Sequence, residues 1–156
     1  MAQPANRRLV TEAALEARLT TLGYDSGDRN ITASVDEDAG LTAGAVYLHR
    51  AGSLVELDLS ALVFALPASE SLIPIVRLGQ PLLPPGFRPP HTKFFAAAQR
   101  DLPETHGGVR IDPNGYVYLY QVRQLASGST STASYRANAA FLTNNAIPTI
   151  RPGSPA

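Results

Sequence analysis

The spacing of apolar residues changes at Gly23, and no other feature of the sequence constrains the fold as strongly. After this residue, apolar and polar side chains alternate in short runs, which is the pattern of β-strands with one buried face. Two such runs, 45–50 and 54–59, flank Ala51-Gly52-Ser53. Because a short glycine-containing loop between alternating runs is typical of a tight turn, these residues predict a β-hairpin.

A second hairpin has a clearer turn. Residues 108–111 and 116–120 alternate on either side of Asp112-Pro113-Asn114-Gly115. Aspartate in the first position, proline in the second and glycine in the fourth are the preferences of a type I turn. The alternation of the second strand separates two sets of side chains, Tyr116, Tyr118 and Tyr120 on one face and Val117 and Leu119 on the other.

The remaining strand signals complete a mainly β fold. Further short strands are predicted at 29–35, 61–66, 72–78, 92–98 and 135–142. Many short strands separated by turn signals are typical of an antiparallel β-sandwich, here a jelly-roll-like knob over residues 24–156. The proline-rich segment 82–90 cannot be a central strand, since proline donates no ladder hydrogen bond. We therefore expect an extended crossover, held to the knob by Phe87 and two leucines.

One segment before the knob has helical spacing. Thr11 is a good N-cap, Val10 precedes it as one half of a hydrophobic staple, and Gly23 is a natural stop. These signals predict a short α-helix over 11–22. Its apolar stripe consists of Leu15, Leu19 and Leu22. Three turns are marginal alone, so the stripe must pack on its own domain, on a copy of itself or on another protein. We interpret residues 1–23 as an N-terminal anchor segment.

Composition excludes several classes of function. Lys+Arg and Asp+Glu are equal at 13 each, so the chain has little to gain from phosphate contacts and nucleic-acid binding is disfavoured. The chain has no cysteine, which removes disulfides, zinc–thiolate sites and thiol nucleophiles. No apolar run approaches the ~20 residues of a membrane span, so membrane insertion is not expected.

Motifs that carry catalytic chemistry are absent from the sequence. The three histidines, His49, His91 and His106, have neither HExxH nor HxH spacing, and there is no GxSxG, GxGxxG or P-loop pattern. The acidic run Asp36-Glu37-Asp38 does not have the alternating ligands of an EF-hand and is interpreted as a solvated loop. We expect that the protein is not an enzyme, with no cofactor and no metal site.

The three tyrosines leave more than one interpretation open. Tyr116, Tyr118 and Tyr120 suit a face that stacks on carbohydrate or binds protein, because aromatic residues are enriched at such surfaces. They suit cross-strand packing within one sheet equally well. A subunit interface is the third possibility.

Several motifs together resemble a known family. Residues 25–32 read DSGDRNIT, 48–55 read LHRAGSLV and 83–89 read LPPGFRP. Further segments that carry the likeness are 7–15, 111–115, 141–149 and 152–154. In this order they resemble the minor tail or fibre-tip proteins of tailed phages that infect actinobacteria. The patterns of that family are D-[ST]-G-W-R-x-[IL]-T, hydrophobic-R-R-x-G-x-x-V and L-P-x-G-[FY]-R-P. The chain departs from them at Asp28, where tryptophan is usual, and at His49, where arginine is frequent.

The resemblance implies a structural role without catalytic residues. It predicts a knob, often trimeric, made in the host cytoplasm and held on the particle surface through the N-terminal segment. Its partners would be its own copies, a tail protein or the major capsid protein, and a host cell-surface glycan. A capsid decoration protein or head fibre is the nearest alternative, and a free carbohydrate-binding module is an alternative from a different class.

Overall fold

A computed structural model describes residues 22–36, 39–65, 72–99, 106–123 and 132–156 of the chain. These residues form an antiparallel, mainly β fold, as the sequence predicts. The strands are β1 (Arg29–Asn30), β2 (Leu41–Ala51), β3 (Leu54–Ala65), β4 (Leu72–Arg77), β5 (Lys93–Gln99), β6 (His106–Ile111), β7 (Val117–Arg123), β8 (Thr132–Leu142) and β9 (Ser154–Pro155). A short 3-10 helix, Thr32–Ser34, follows β1.

All nine described strands belong to one curled sheet, in the order β4-β7-β6-β5-β8-β3-β2-β1-β9. Among the described residues, two pairs, Ala98↔Arg136 and Gln99↔Tyr135, join β5 to β8. We expected separate sheets. Instead, two halves of one sheet remain hydrogen-bonded at this narrow seam and bury their inner faces in one hydrophobic core.

Irregularities in β2 and β3 help the sheet to bend. Ala61 has a positive φ of 49°, and the register between β3 and β8 shifts between Leu59 and Leu62. On the neighbouring strand Gly44 has φ 100°, and a Cβ there would lie 2.5 Å from the Ala61 carbonyl oxygen. Bulges of this kind increase twist and bend a strand. The predicted strands 54–59 and 61–66 are therefore one long, bulged strand.

Both predicted hairpins are confirmed. The amide of Gly115 donates to the Asp112 carbonyl oxygen at 2.9 Å, which closes the turn before β7. Of the tyrosine-bearing strand, Val117 and Leu119 are fully buried, as the alternation predicts. The proline-rich segment connects β4 to β5, and its buried side chains join the core as expected, namely Leu82, Leu83 and Phe87.

Two predictions near the N-terminus have different outcomes. The strand predicted over 29–35 is wrong beyond Asn30, whose Oδ1 accepts a hydrogen bond from the Thr32 amide at 3.0 Å. This short-range bond competes with the strand ladder and begins a turn. The helix predicted over 11–22 lies outside the described residues except for Leu22, which is 78% exposed. Among the described residues, no helix has the length and apolar character to cross a membrane.

Candidate functional site

The three predicted tyrosines lie together on the outer side of the sheet. Tyr116, Tyr118 and Tyr120 are half-buried, while the residues that alternate with them point into the core. The rings of Tyr116 and Tyr118 are tilted against each other with centroids 6.1 Å apart. The structure therefore brings this set together. Of the other predicted set, the apolar residues of the anchor segment, Val10, Leu15 and Leu19 lie outside the described residues.

Arg110 organises the tyrosines. Its guanidinium carbon lies 4.2 Å from the centre of the Tyr118 ring, and Nη1 donates to the Tyr120 hydroxyl at 2.7 Å. Nη2 forms an ion pair with Asp112 at 3.0 Å. Burial opposes the charge, but Asp112 and Tyr120 outweigh it and raise the pKa of Arg110. The side chain is thus held in one position by a ring, a hydroxyl and a carboxylate.

Strand register extends this group into a row. Phe94 is paired with Arg110, Arg110 with Tyr118, and Tyr118 with Arg77, so the four residues cross β5, β6, β7 and β4 in line. Phe94 is 71% exposed, and the Arg77 guanidinium lies 5.6 Å from the centre of the Tyr116 ring. The tyrosine–arginine face is defined here as Arg77, Phe94, Arg110, Tyr116, Tyr118 and Tyr120.

The face is supported from below by a buried tyrosine on β8. The Tyr135 hydroxyl donates to the Tyr120 carbonyl oxygen at 2.7 Å, and its burial raises the pKa of this phenol to about 12. Its ring passes beneath Gly107, where any Cβ would collide with the hydroxyl. Tyr135 therefore fixes the backbone of β7 at the point where Tyr120 begins the face.

A second, acidic group forms where the residues before β1 meet β2 and β3. His49 Nε2 is 2.9 Å from Asp25, and its Nδ1 is 3.7 Å from Asp28 and 3.6 Å from Glu56. Desolvation lowers the pKa of His49, but the hydrogen bond and charge of Asp25 outweigh it, so that the pKa is raised. The backbone amide of Gly27 and the bond to His49 lower the pKa of Asp25. We call these residues the His49 cluster.

The His49 cluster is an ion-pair network. Within the described ranges, no group of three or more histidine and carboxylate side chains is arranged to hold a metal ion. Asp28 and His49, an acid and a base from separate segments, face each other in this cluster.

Arg50 is buried next to the cluster, and no carboxylate of the described residues pairs with it. It is 1% exposed, and its guanidinium donates to four backbone carbonyl oxygens. These belong to Gly52 at 2.7 Å, Gly86, Ala146 at 3.0 Å and Asn145 at 3.1 Å. Burial lowers the pKa of Arg50. Because four acceptors replace its water, the charge is solvated by the fold itself.

Around Arg50, several segments that are distant in the sequence bond to one another. The Ser26 amide donates to the Arg50 carbonyl oxygen at 2.9 Å, and the Arg50 amide donates to the Ser26 hydroxyl oxygen at 2.8 Å. The Arg88 carbonyl oxygen accepts from the Thr143 hydroxyl at 2.6 Å, and Arg88 Nε donates to the Leu83 carbonyl at 2.9 Å. The Leu83 amide in turn donates to Gly115 at 2.9 Å. We call this set of interlocked segments the Arg50 buttress.

Comparison with known proteins adds no relative. No protein-family model matches the chain, and a search of curated proteins found no significant match.

Proposed function

We propose that the chain is a structural protein of a tailed-phage particle, a β-rich knob exposed on the particle surface as a minor tail or fibre-tip protein. In this proposal residues 1–23 attach the knob to the particle, and three copies associate. Its role is structural and adhesive rather than catalytic.

The observation that carries the proposal is the Arg50 buttress. The family resemblance rests on short motifs, each of modest specificity alone. In the fold, the motifs around Ser26, Arg50, Leu83, Gly115 and Thr143 bond to one another. Residues separated in sequence thus have one shared structural reason to occur together, which supports treating them as one signature.

The division of the chain into anchor and knob has separate support. The buried core of the described residues runs from Ile31 to Phe141. Leu22, the one described member of the predicted leucine stripe, contributes nothing to it and is 78% exposed. An exposed leucine that the described core does not use is suited to contact with other copies or with the particle.

Deletion of residues 1–22 tests the attachment. We expect the remaining chain to stay soluble and to unfold cooperatively, because its described core lies entirely downstream. The same deletion should abolish incorporation into particles, measured by quantitative mass spectrometry of purified phage. Replacing Leu15, Leu19 and Leu22 by serine should reproduce the loss of incorporation in a full-length chain.

Three outcomes would contradict the proposal. Absence of the wild-type chain from purified particles removes the virion role, and incorporation of the truncated chain removes the anchor. Native mass spectrometry that gives a monomer removes the trimer. The number of copies per particle then distinguishes a location on the tail from one on the capsid, since a decoration protein occurs in many more copies than a tail-tip protein.

A further inference from the structure

We propose that the tyrosine–arginine face, together with the adjoining outer strip of β5 from Phe94 to Ala98, binds an anionic glycan, a chain of sugar rings that carries carboxylate or phosphate groups. The proposal deepens the function above, since it names the ligand that an exposed knob would present itself to. The binding itself requires only the folded chain and can be tested without the particle.

The first observation is a bare strip along β5. Phe94, Ala96 and Ala98 alternate on its outer side and are all exposed, and Gly108 lies opposite Ala96 on β6. With about 3.4 Å per residue, the strip from Phe94 to Ala98 is roughly 14 Å long. The small residues leave a flat floor, which a ring can approach closely. Phe94 stands at one end as a hydrophobic plate.

The second observation is charge. Arg136 lies opposite Ala98 at the far end of the strip, and Arg77 lies at the far edge of the row. Among the described residues, neither arginine has a carboxylate within ion-pair distance, whereas Arg110 is already neutralised by Asp112. Guanidinium groups bind carboxylate and phosphate through paired hydrogen bonds. Arg136 thus ends the strip and Arg77 ends the row that crosses the sheet from Phe94, and no carboxylate of the described residues pairs with either cation.

The third observation is rigidity. Arg110 is fixed by contacts to Tyr118, Tyr120 and Asp112, so this part of the face has little side-chain freedom to lose. A preordered surface binds with a smaller entropic cost. The exposed ring of Phe94 suits the apolar side of a sugar ring, while the hydroxyl groups of the half-buried tyrosines suit hydrogen bonding. The Phe94 ring, the floor of small residues and the arginines at the ends of the strip and of the row together fit a linear polymer of charged rings.

A second copy of the chain is the competing occupant, since the His49 cluster of a neighbour would supply carboxylates. The strip is narrow, however, while a stable protein interface buries about 800 Å² on each partner. A single polymer chain fits a narrow strip better, so the glycan is the occupant proposed.

The test uses the purified full-length chain and polymers that differ in one property. Polygalacturonate and a phosphomannan offer charged rings, fully methyl-esterified polygalacturonate offers the same rings without charge, and polyglutamate offers charge without rings. We expect calorimetry or biolayer interferometry to detect binding to at least one charged glycan. Binding should weaken with added salt, since exposed charges are screened. The ester and polyglutamate should bind at least about tenfold more weakly.

Three substitutions examine the surface, and each leaves the core intact. Phe94→Ala removes the plate, Arg136→Gln removes a cation, and Gly108→Thr fills the floor. A Cβ at Gly108 would meet its nearest atom, the Phe95 carbonyl oxygen, only at 3.4 Å, so the last change should not disturb the strand. Each variant is expected to lose about fivefold to tenfold in affinity with an unchanged melting temperature. Leu142→Ala is the matched control, because Leu142 is 62% exposed at the distant end of β8.

Several results would overturn the proposal. They are binding to neither charged glycan, equal binding of polyglutamate, and wild-type affinity in all three variants. A lower oligomeric mass in Phe94→Ala or Arg136→Gln would assign the face to contacts between copies instead. If the chain binds a charged glycan but is absent from particles, the proposed virion role is wrong and the proposed ligand still stands.

Discussion

Arg50 and Arg110 use the same side chain in opposite ways. Arg50 is 1% exposed and is surrounded by backbone carbonyl oxygens from three separate segments. Arg110 is half-exposed, stacks on Tyr118 and is neutralised by Asp112. In Arg50, backbone carbonyl oxygens take the place of water around the guanidinium, and the guanidinium in turn links the segments that carry them. The second arginine keeps contact with solvent and orders a surface that others can reach.

The difference shows how to separate structural from functional arginines. A guanidinium bonded only to carbonyl oxygens satisfies backbone groups that would otherwise be buried without partners, so its loss lowers the free energy of unfolding. A guanidinium that lies on aromatic rings at the surface has mainly exposed contacts, which are individually weak. The same substitution should therefore have very different effects at the two positions.

The largest effect is expected for Arg50→Lys. An ammonium group has a single centre and cannot reach four carbonyl oxygens that a planar guanidinium spans. Leaving buried carbonyl groups unpaired should lower the free energy of unfolding by about 3–5 kcal/mol, measured by denaturant titration. Arg151→Lys is the matched control, because Arg151 is exposed and should lose less than about 1 kcal/mol. Equal losses of unfolding free energy at both positions would show that the buried hydrogen bonds of Arg50 stabilise the fold no more than the exposed contacts of Arg151.

Gly115→Val should have the next largest effect. Gly115 has φ 91°, and a Cβ there would collide with the Leu83 carbonyl oxygen and lie 2.7 Å from Arg88 Nε. We expect a loss of about 3 kcal/mol by denaturant titration, from strain together with the displaced proline-rich segment. Gly27→Val isolates the conformational part, since Gly27 has φ 63° but nothing within 4 Å of an added Cβ. If Gly27→Val costs as much, the close approach to Leu83 contributes nothing.

Arg110→Gln should have a smaller effect on stability. The substitution removes the stacking on Tyr118 and the ion pair with Asp112, both at a half-exposed position. We expect a loss of about 1 kcal/mol, again from denaturant titration. A loss as large as that of Arg50→Lys would remove the distinction between the two arginines.

The smallest effect concerns pH and the His49 cluster. The folded-state pKa of His49 is raised above its usual value of 6.5 by the acids around it. Its stabilising contribution is therefore complete below about pH 6.5 and is lost as the pH rises through the folded-state pKa. The free energy of unfolding should fall over this range by no more than about 1 kcal/mol. In His49→Gln this part of the pH dependence should be absent, and its persistence would assign it to another group.

The sequence predicted local structure better than the contacts between distant segments. The hairpin turn at Asp112–Gly115 and the placement of Val117 and Leu119 follow from neighbouring residues, so pattern alone was sufficient. The single curled sheet was not predictable in this way, because it depends on the bulge at Ala61 and on two pairs between β5 and β8. A positive φ at alanine has no signal in the sequence.

The same contrast between local pattern and contacts of distant segments applies to the candidate site. The tyrosines were identified by their alternation, whereas Phe94, Arg77 and Arg110 join them only through strand pairing. Arg50 did leave a signal, because it continues the inward series Val46 and Leu48 on an alternating strand. A charged residue in an inward position must find buried partners, and this signal was missed. Its acceptors at Gly86 and Ala146 are too distant in sequence to infer.

The reciprocal bonds between Ser26 and Arg50 have a mechanical consequence. If the N-terminal segment is the tether, tension on the knob enters the described fold near Tyr24, whose carbonyl oxygen accepts from the Gly52 amide at 2.7 Å. The next contacts along the chain are those of Ser26 with Arg50. The Arg50 guanidinium then divides the pull among the Gly86, Asn145 and Ala146 carbonyls. Force that enters at residues 24–26 would thereby be shared between the proline-rich connection at Gly86 and residues 145–146.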